Sequence, residues 1–201
     1  MKKTLMLILA IAVLFSAFLG ITTRTAAAQS IGETQYGGKL RSLTDLNGDG
    51  RPEIVGFEQQ GVYVARNNGN GTFQPTQMVI ADFGANNGWE SSSRYIRSLT
   101  DLNGDGRPEI VGFGQQGVYV ARNNGDGTFQ PTQMVNTDFG ANNGWGWWGD
   151  VFYWRVLIDL NGDGRPEIVG FGEAGVYVAR NNGDGTFQPA QIVNTYFRTL
   201  L

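Results

Sequence analysis

Asp101-Leu102-Asn103-Gly104-Asp105-Gly106-Arg107-Pro108-Glu109 is one of three identical nine-residue stretches, the others spanning 45–53 and 159–167. Oxygen-bearing side chains fall at positions 1, 3, 5 and 9, and glycine at position 6. A loop that points alternate residues inward suits a hard cation such as Ca²⁺, which takes about six to eight oxygens at roughly 2.4 Å. The spacing predicts one Ca²⁺ loop per copy. The side-chain donors would be Asp45, Asn47, Asp49 and Glu53; Asp101, Asn103, Asp105 and Glu109; and Asp159, Asn161, Asp163 and Glu167. Arg51, Arg107 and Arg165 would add their backbone carbonyls. Three carboxylates and one amide suit Ca²⁺ better than Mg²⁺, which demands a tighter octahedron. An EF-hand loop opens alike but closes on a later Glu between two helices. Taken singly, the stretch would read as an Asx-rich turn without metal; the full donor set in all three copies favours the cation.

The stretches sit in long repeats. Asp45 and Asp101 are 56 residues apart, and Asp101 and Asp159 are 58 apart. Aligning Thr44–Trp89 with Thr100–Trp145 leaves four differences, at Glu58/Gly114, Asn70/Asp126, Ile80/Asn136 and Ala81/Thr137, so both copies must share one structure. The two extra residues of the longer spacing fall after Trp145, where Gly146-Trp147-Trp148-Gly149 opens an altered segment.

Each copy reads as four strands. In the second they are Tyr95–Thr100, Ile110–Phe113, Val118–Arg122 and Phe129–Val135, with Val118 and Val120 on one face and Tyr119 on the other. Asn123-Asn124-Gly125-Asp126-Gly127 is a turn, and Pro131 marks an edge strand. No sustained helical period occurs. Four short antiparallel strands per unit describe one β-propeller blade, whose faces are buried only by neighbouring blades. The expected fold is all-β: blades at 41–93, 94–150 and 151–201 after a lead-in strand at 29–40. Closed propellers typically carry about four to eight blades. Three blades therefore form part of a longer propeller, a ring completed by self-association as a homo-oligomer, or an open stack.

Met1-Lys2-Lys3, an apolar run from Leu5 to Leu19 and Ala26-Ala27-Ala28 predict a signal peptide over 1–28, hence a secreted or periplasmic protein of bacterial type with no membrane insertion after cleavage. The chain has no Cys, which excludes disulfides and lipidation at cysteine, and no His, which removes the commonest general base. Loss of Lys2, Lys3 and Arg24 lowers the basic residues from 15 to 12 against 18 acidic ones, a net charge of −6 that argues against a nucleic-acid partner.

The run Asp101–Gly114 resembles the FG-GAP or VCBS-type repeat of integrin α-chain propellers. Its continuation from Gly117 to Phe129, with Asp138-Phe139-Gly140 and Gly144-Trp145, is more closely similar to the repeats of the Psathyrella velutina lectin. The resemblance implies a propeller, Ca²⁺ in the Asp-x-Asn-x-Asp-Gly loops, and sites for N-acetylglucosamine or sialic-acid-type sugars between blades. The chain departs from it in having three repeats and in the variable segments 90–97 and 146–155.

All five tryptophans lie between one blade and the next. Trp89, Trp145, Trp147 and Trp148 are candidates for carbohydrate stacking, with Trp89 and Trp145, at equivalent positions, favoured as packing wedges. The Arg66, Arg122 and Arg180 series reads as a solvated strand-end face. The expected function is a Ca²⁺-bearing module that binds carbohydrate or glycoprotein glycans; the alternative is Ca²⁺-dependent protein–protein adhesion. Catalysis is not expected, because threefold repetition suits multivalent binding better than a single active site.

Overall fold

The computed structural model describes residues 31–36, 39–90, 94–148 and 151–198, with backbone alone for 31–36, 39, 147, 148, 151 and 152. The signal-peptide segment 1–28 lies outside the described residues. Three antiparallel sheets follow one another. The first comprises β1 (Ile31–Tyr36), β2 (Lys39–Thr44), β3 (Glu53–Phe57), β4 (Val62–Ala65) and β5 (Gln77–Ile80), in chain order. The second comprises β6 (Arg97–Thr100), β7 (Glu109–Phe113), β8 (Val118–Ala121) and β9 (Gln133–Asn136). A hairpin of β10 (Gly146–Trp148) and β11 (Val151–Tyr153) fills the altered segment. The third sheet comprises β12 (Arg155–Ile158), β13 (Glu167–Gly172), β14 (Gly175–Ala179) and β15 (Gln191–Asn194). This is a partial propeller of three blades.

Register repeats between copies. Thr100 pairs with Glu109, and Ile110 with Ala121, as Thr44 pairs with Glu53 and Ile54 with Ala65. Each nine-residue loop thus joins the first two strands of its blade. Two expectations need correcting. The fourth strand is Gln133–Asn136, not Phe129–Val135, because Pro131 has no N–H for a ladder; Phe129 makes only an isolated bridge to Asn123. The first strand begins at Arg97, and Tyr95 turns into the core instead. Among the described residues no α-helix occurs; 3₁₀ turns at Ala85–Asn87 and Ala141–Asn143 each end on a glycine at φ 90°, the left-handed region.

The hydrophobic cores lie between blades. Leu46, Val55, Phe57, Val62 and Val64 of blade 1 pack with Leu99, Ile110 and Phe129 of blade 2. Leu102, Val111, Phe113, Val118 and Val120 of blade 2 pack with Ile168, Ala179 and Phe187 of blade 3. Each such fully buried aliphatic or aromatic side chain contributes about 1.5–3 kcal/mol. A four-stranded sheet has two apolar faces and cannot bury both alone, so folding and blade stacking are one event.

Polar contacts cross the same junctions. Arg66 donates to the Asp126 carbonyl at 3.0 Å, and Arg122 donates to the Asp184 carbonyl at 3.1 and 2.8 Å. These arginines tie one blade to the next turn, so the expected solvated face is an interblade clamp at Arg66 and Arg122, while Arg180 is exposed as expected. The sequence pattern could not show this, since the acceptors are backbone carbonyls about 60 residues away.

Candidate functional site

Two features stand out: the nine-residue loops and a cavity between blades 2 and 3. In the second loop Asp101 accepts the amides of Gly104 and Gly106, each at 2.8 Å. Asn103 accepts the Asp105 amide at 2.8 Å, and Asp105 accepts the Arg107 amide at 2.8 Å. The first and third loops repeat this pattern through Asp45, Asn47 and Asp49 and through Asp159, Asn161 and Asp163. Asp49, Asp105 and Asp163 also pair with Arg51, Arg107 and Arg165 at 2.6, 2.9 and 3.0 Å. The closing glutamates are buried, and each accepts an amide from position 2 of its loop: Glu53 from Leu46, Glu109 from Leu102 and Glu167 from Leu160, at 2.9, 2.9 and 3.0 Å.

The donor set fits a hard cation at one point above all. Oε1 of Glu109 is buried without a close hydrogen-bond partner. Burial pushes its carboxyl up to about 7; the Leu102 amide and, more weakly, the Asn123 amide oppose this, while the charges of Asp105 and Asp101 raise it further. A cation there would relieve both burial and repulsion. Among the described residues, however, no three acidic side chains converge into a ready-made cage. Asp105 faces its arginine and would have to turn from Arg107 to serve a metal.

The cavity has a volume of about 650 Å³ and is lined by Asp138, Asn142, Asn143, Gly144, Trp145, Tyr153, Gly172, Glu173, Tyr177 and Ala190. Local structure explains its shape. The amides of Ala141 and Asn142 bind the Gly114 and Gln115 carbonyls at 3.0 and 2.8 Å, anchoring the 3₁₀ turn on blade 2. Trp145 then crosses to blade 3, where a Cβ on Gly170 would stand 2.4 Å from the indole. Tyr177 meets the indole edge-on, with centroids 5.4 Å apart, and Phe139 packs on it at 4.9 Å. Asn143 donates to the Thr137 carbonyl, and Asp138 accepts the Ala190 amide at 2.7 Å across the junction.

Trp89 and Trp145 are therefore largely buried wedges, as the packing reading expected, although Trp145 also lines the cavity. Trp147 and Trp148 stand on β10, and their side chains lie outside the described set. Trp154, which the sequence did not single out, is exposed and stacks on Phe171 at 5.9 Å. Tyr153, Tyr177 and Glu173 were also missed. Tyr119 and Tyr177 carry a legible signal: each is the odd residue in a Val-Tyr-Val strand, facing away from the core valines.

The FG-GAP-like repeat family profile matches residues 45–94, 101–153 and 159–199. The chain belongs to the FG-GAP-like repeat family. Among solved structures it is similar to an Agrocybe aegerita lectin described as recognising non-reducing terminal N-acetylglucosamine, at 46% identity and a TM-score of 0.74 over 80% of this chain. The match spans 39% of that lectin. TcdB2-TccC3 (17% identity, TM-score 0.52, 76% of this chain and 7% of that one) shares the fold alone. So does the Photorhabdus luminescens Tc holotoxin pore (17%, 0.51, 79% and 7%). No curated protein matches the chain. Among the described residues no helix is long and apolar enough to cross a membrane.

Proposed function

We propose that this FG-GAP-like chain is an exported module that binds glycans ending in N-acetylglucosamine at its blade junctions, with Ca²⁺ in its nine-residue loops. The blade 2–3 cavity carries the reading. It joins aromatic surface from Trp145, Tyr153 and Tyr177 to the polar groups of Asn142, Asn143, Asp138 and Glu173. Aromatic ring faces receive a sugar's C–H face and acetyl methyl, and amides and carboxylates receive its hydroxyls. The similarity to the Agrocybe aegerita lectin supports the same ligand class. Asp138 and Glu173 make this junction acidic and disfavour a sialic-acid carboxylate. The blade 1–2 junction offers Asp82, Asn86, Asn87, Trp89, Tyr95 and Tyr119 in the same places, with Gln115 for Glu173. Two like sites favour multivalent binding over catalysis.

Calorimetric titration with N-acetylglucosamine is expected to show saturable binding. Asn142→Ala, at an exposed position, should weaken it about tenfold, or about 1.4 kcal/mol, with the melting temperature unchanged. Wild-type protein that binds no amino sugar, but captures a protein partner that sugar does not displace, would favour adhesion instead.

When bound, Ca²⁺ would supply charge neutralisation and loop order. Asp101, Asn103, Asp105 and Glu109, with the Arg107 carbonyl, would hold it. Asp105→Ala is expected to lower the melting temperature more in Ca²⁺ than in EDTA. A small loss should remain in EDTA because Asp105 also binds Arg107. Equal losses in the two conditions would leave the loop a metal-free turn.

A further inference from the structure

The chain builds one kind of blade junction twice, and its two ends present the unmatched halves of that junction. Leu46 and Leu102, second in the first two loops, are 0% exposed beneath the following blade; Leu160, second in the third loop, is 56% exposed. Phe83 and Phe139 are 0% exposed, whereas Phe197, their counterpart in blade 3, is 61% exposed. The entry side mirrors this. Ile110 and Ile168 are 0% exposed against the preceding blade, and Ile54 of blade 1 is 37% exposed.

The polar half is equally divided. Asn123 and Asn181 each donate to their own blade's proline carbonyl and also to the preceding blade, at Leu46 and Leu102, both at 2.8 Å. Asn67 donates to the Pro52 carbonyl of its own blade. Arg66 and Arg122 reach the next blade's turn, and Arg180 stands exposed at the same position of blade 3. Arg97 and Arg155 donate to the Phe83 and Phe139 carbonyls of the preceding blade, at 2.8 and 2.9 Å. Arg41, in their place on blade 1, pairs with Glu58 and lies over Gly56. At the inner junctions Trp89 and Trp145 lie over the equivalent Gly112 and Gly170. The Arg41–Glu58 pair thus occupies space that a tryptophan fills elsewhere.

We propose that blade 3 of one copy docks on blade 1 of a second copy, and the reverse, so that two chains close a six-bladed ring. Leu160 and Phe197 then bury against Ile54 and its neighbours. Arg180 reaches the Asn70 carbonyl, Asn67 reaches the Leu160 carbonyl, and Arg41 can turn to the Phe197 carbonyl. Each closing contact repeats one that the chain already makes internally. The contact is head to tail, and a head-to-tail contact closes only at a fixed rotation. Of the multiples of three, six alone lies within the four-to-eight-blade range of closed propellers. The proposal is independent of the sugar reading, since it concerns the ends of the stack and not the ligand.

The test is native mass spectrometry of the full exported chain, with light scattering across a dilution series. The expected mass is twice that of one chain. Leu160→Asp and Ile54→Asp are each expected to give a monomer that keeps its β-sheet circular dichroism, because both side chains are exposed within one chain. Met134→Asp, on the equally exposed outer strand β9, is expected to remain a dimer. A monomeric wild type, a dimer that survives both face substitutions, or a polydisperse filament would each overturn two-chain closure.

Discussion

Arg155→Ala is expected to lower the stability of the folded chain by about 2–5 kcal/mol, the range for truncating a large buried side chain to alanine and leaving its carbonyl partners unmet. The reasoning starts from burial: Arg155 is the largest of the fully buried side chains among the described residues. Its guanidinium donates to the Phe139 carbonyl at 2.9 Å and the Arg94 carbonyl at 2.8 Å, and lies 5.2 Å from the Phe113 ring centroid. Desolvation lowers its pKa to about 10, so it remains a cation at neutral pH. Alanine would leave the Phe139 carbonyl without this donor and open a cavity against Phe113. Arg155→Lys should fall between, since an ammonium keeps the charge without the planar fork that reaches two carbonyls. The measurement is denaturant unfolding, supported by a melting temperature roughly 10 °C lower. A loss below about 1 kcal/mol would mean that the contact adds nothing to the junction.

Gly112→Ala is the second substitution with a large expected effect, about 2–3 kcal/mol from overpacking. A Cβ there would stand 2.4 Å from Trp89 Cη2 and 2.8 Å from Phe83 Cε1. Both rings belong to the preceding blade's tail and are held in the core, so neither can yield cheaply. Gly56→Ala is the matched control. Within one chain the nearest atoms to the same position in blade 1 are those of the Arg41 side chain, at 3.4 Å or more, so in the monomeric Leu160→Asp background the cost should stay below about 1 kcal/mol. Thermal melts of the two variants settle the point; equal losses would show that the cost lies in the strand backbone and not in the blade junction.

Both predictions concern contacts that the sequence could not display. The four-strand blade was legible because its signals are local: Val118 and Val120 alternate with Tyr119, Gly125 and Gly127 close the turn, and the loop spacing repeats. The cavity was not legible, because Asn142 and Trp145 come from one blade while Tyr177 and Glu173 come from the next. Even so, Gly112 and Gly114 carry a clue. A glycine inside a strand otherwise full of buried residues, with a second glycine just past its end, marks a place where another group must come close.

The metal loops show the boundary most sharply. By itself, the sequence determined that oxygen donors recur at positions 1, 3, 5 and 9, that three copies share one backbone path, and that each path is a strand–loop–strand unit. Donor identity and spacing are properties of the chain, and near-identical copies must fold alike. Only the tertiary structure decided how each copy is used. Leu46, Leu102 and Leu160 are the same residue in the same loop, yet two are sealed and one is bare. The reason is physical: burial of this position is set by the blade that stacks on top, and none of the described residues covers the third loop as blades 2 and 3 cover the first two.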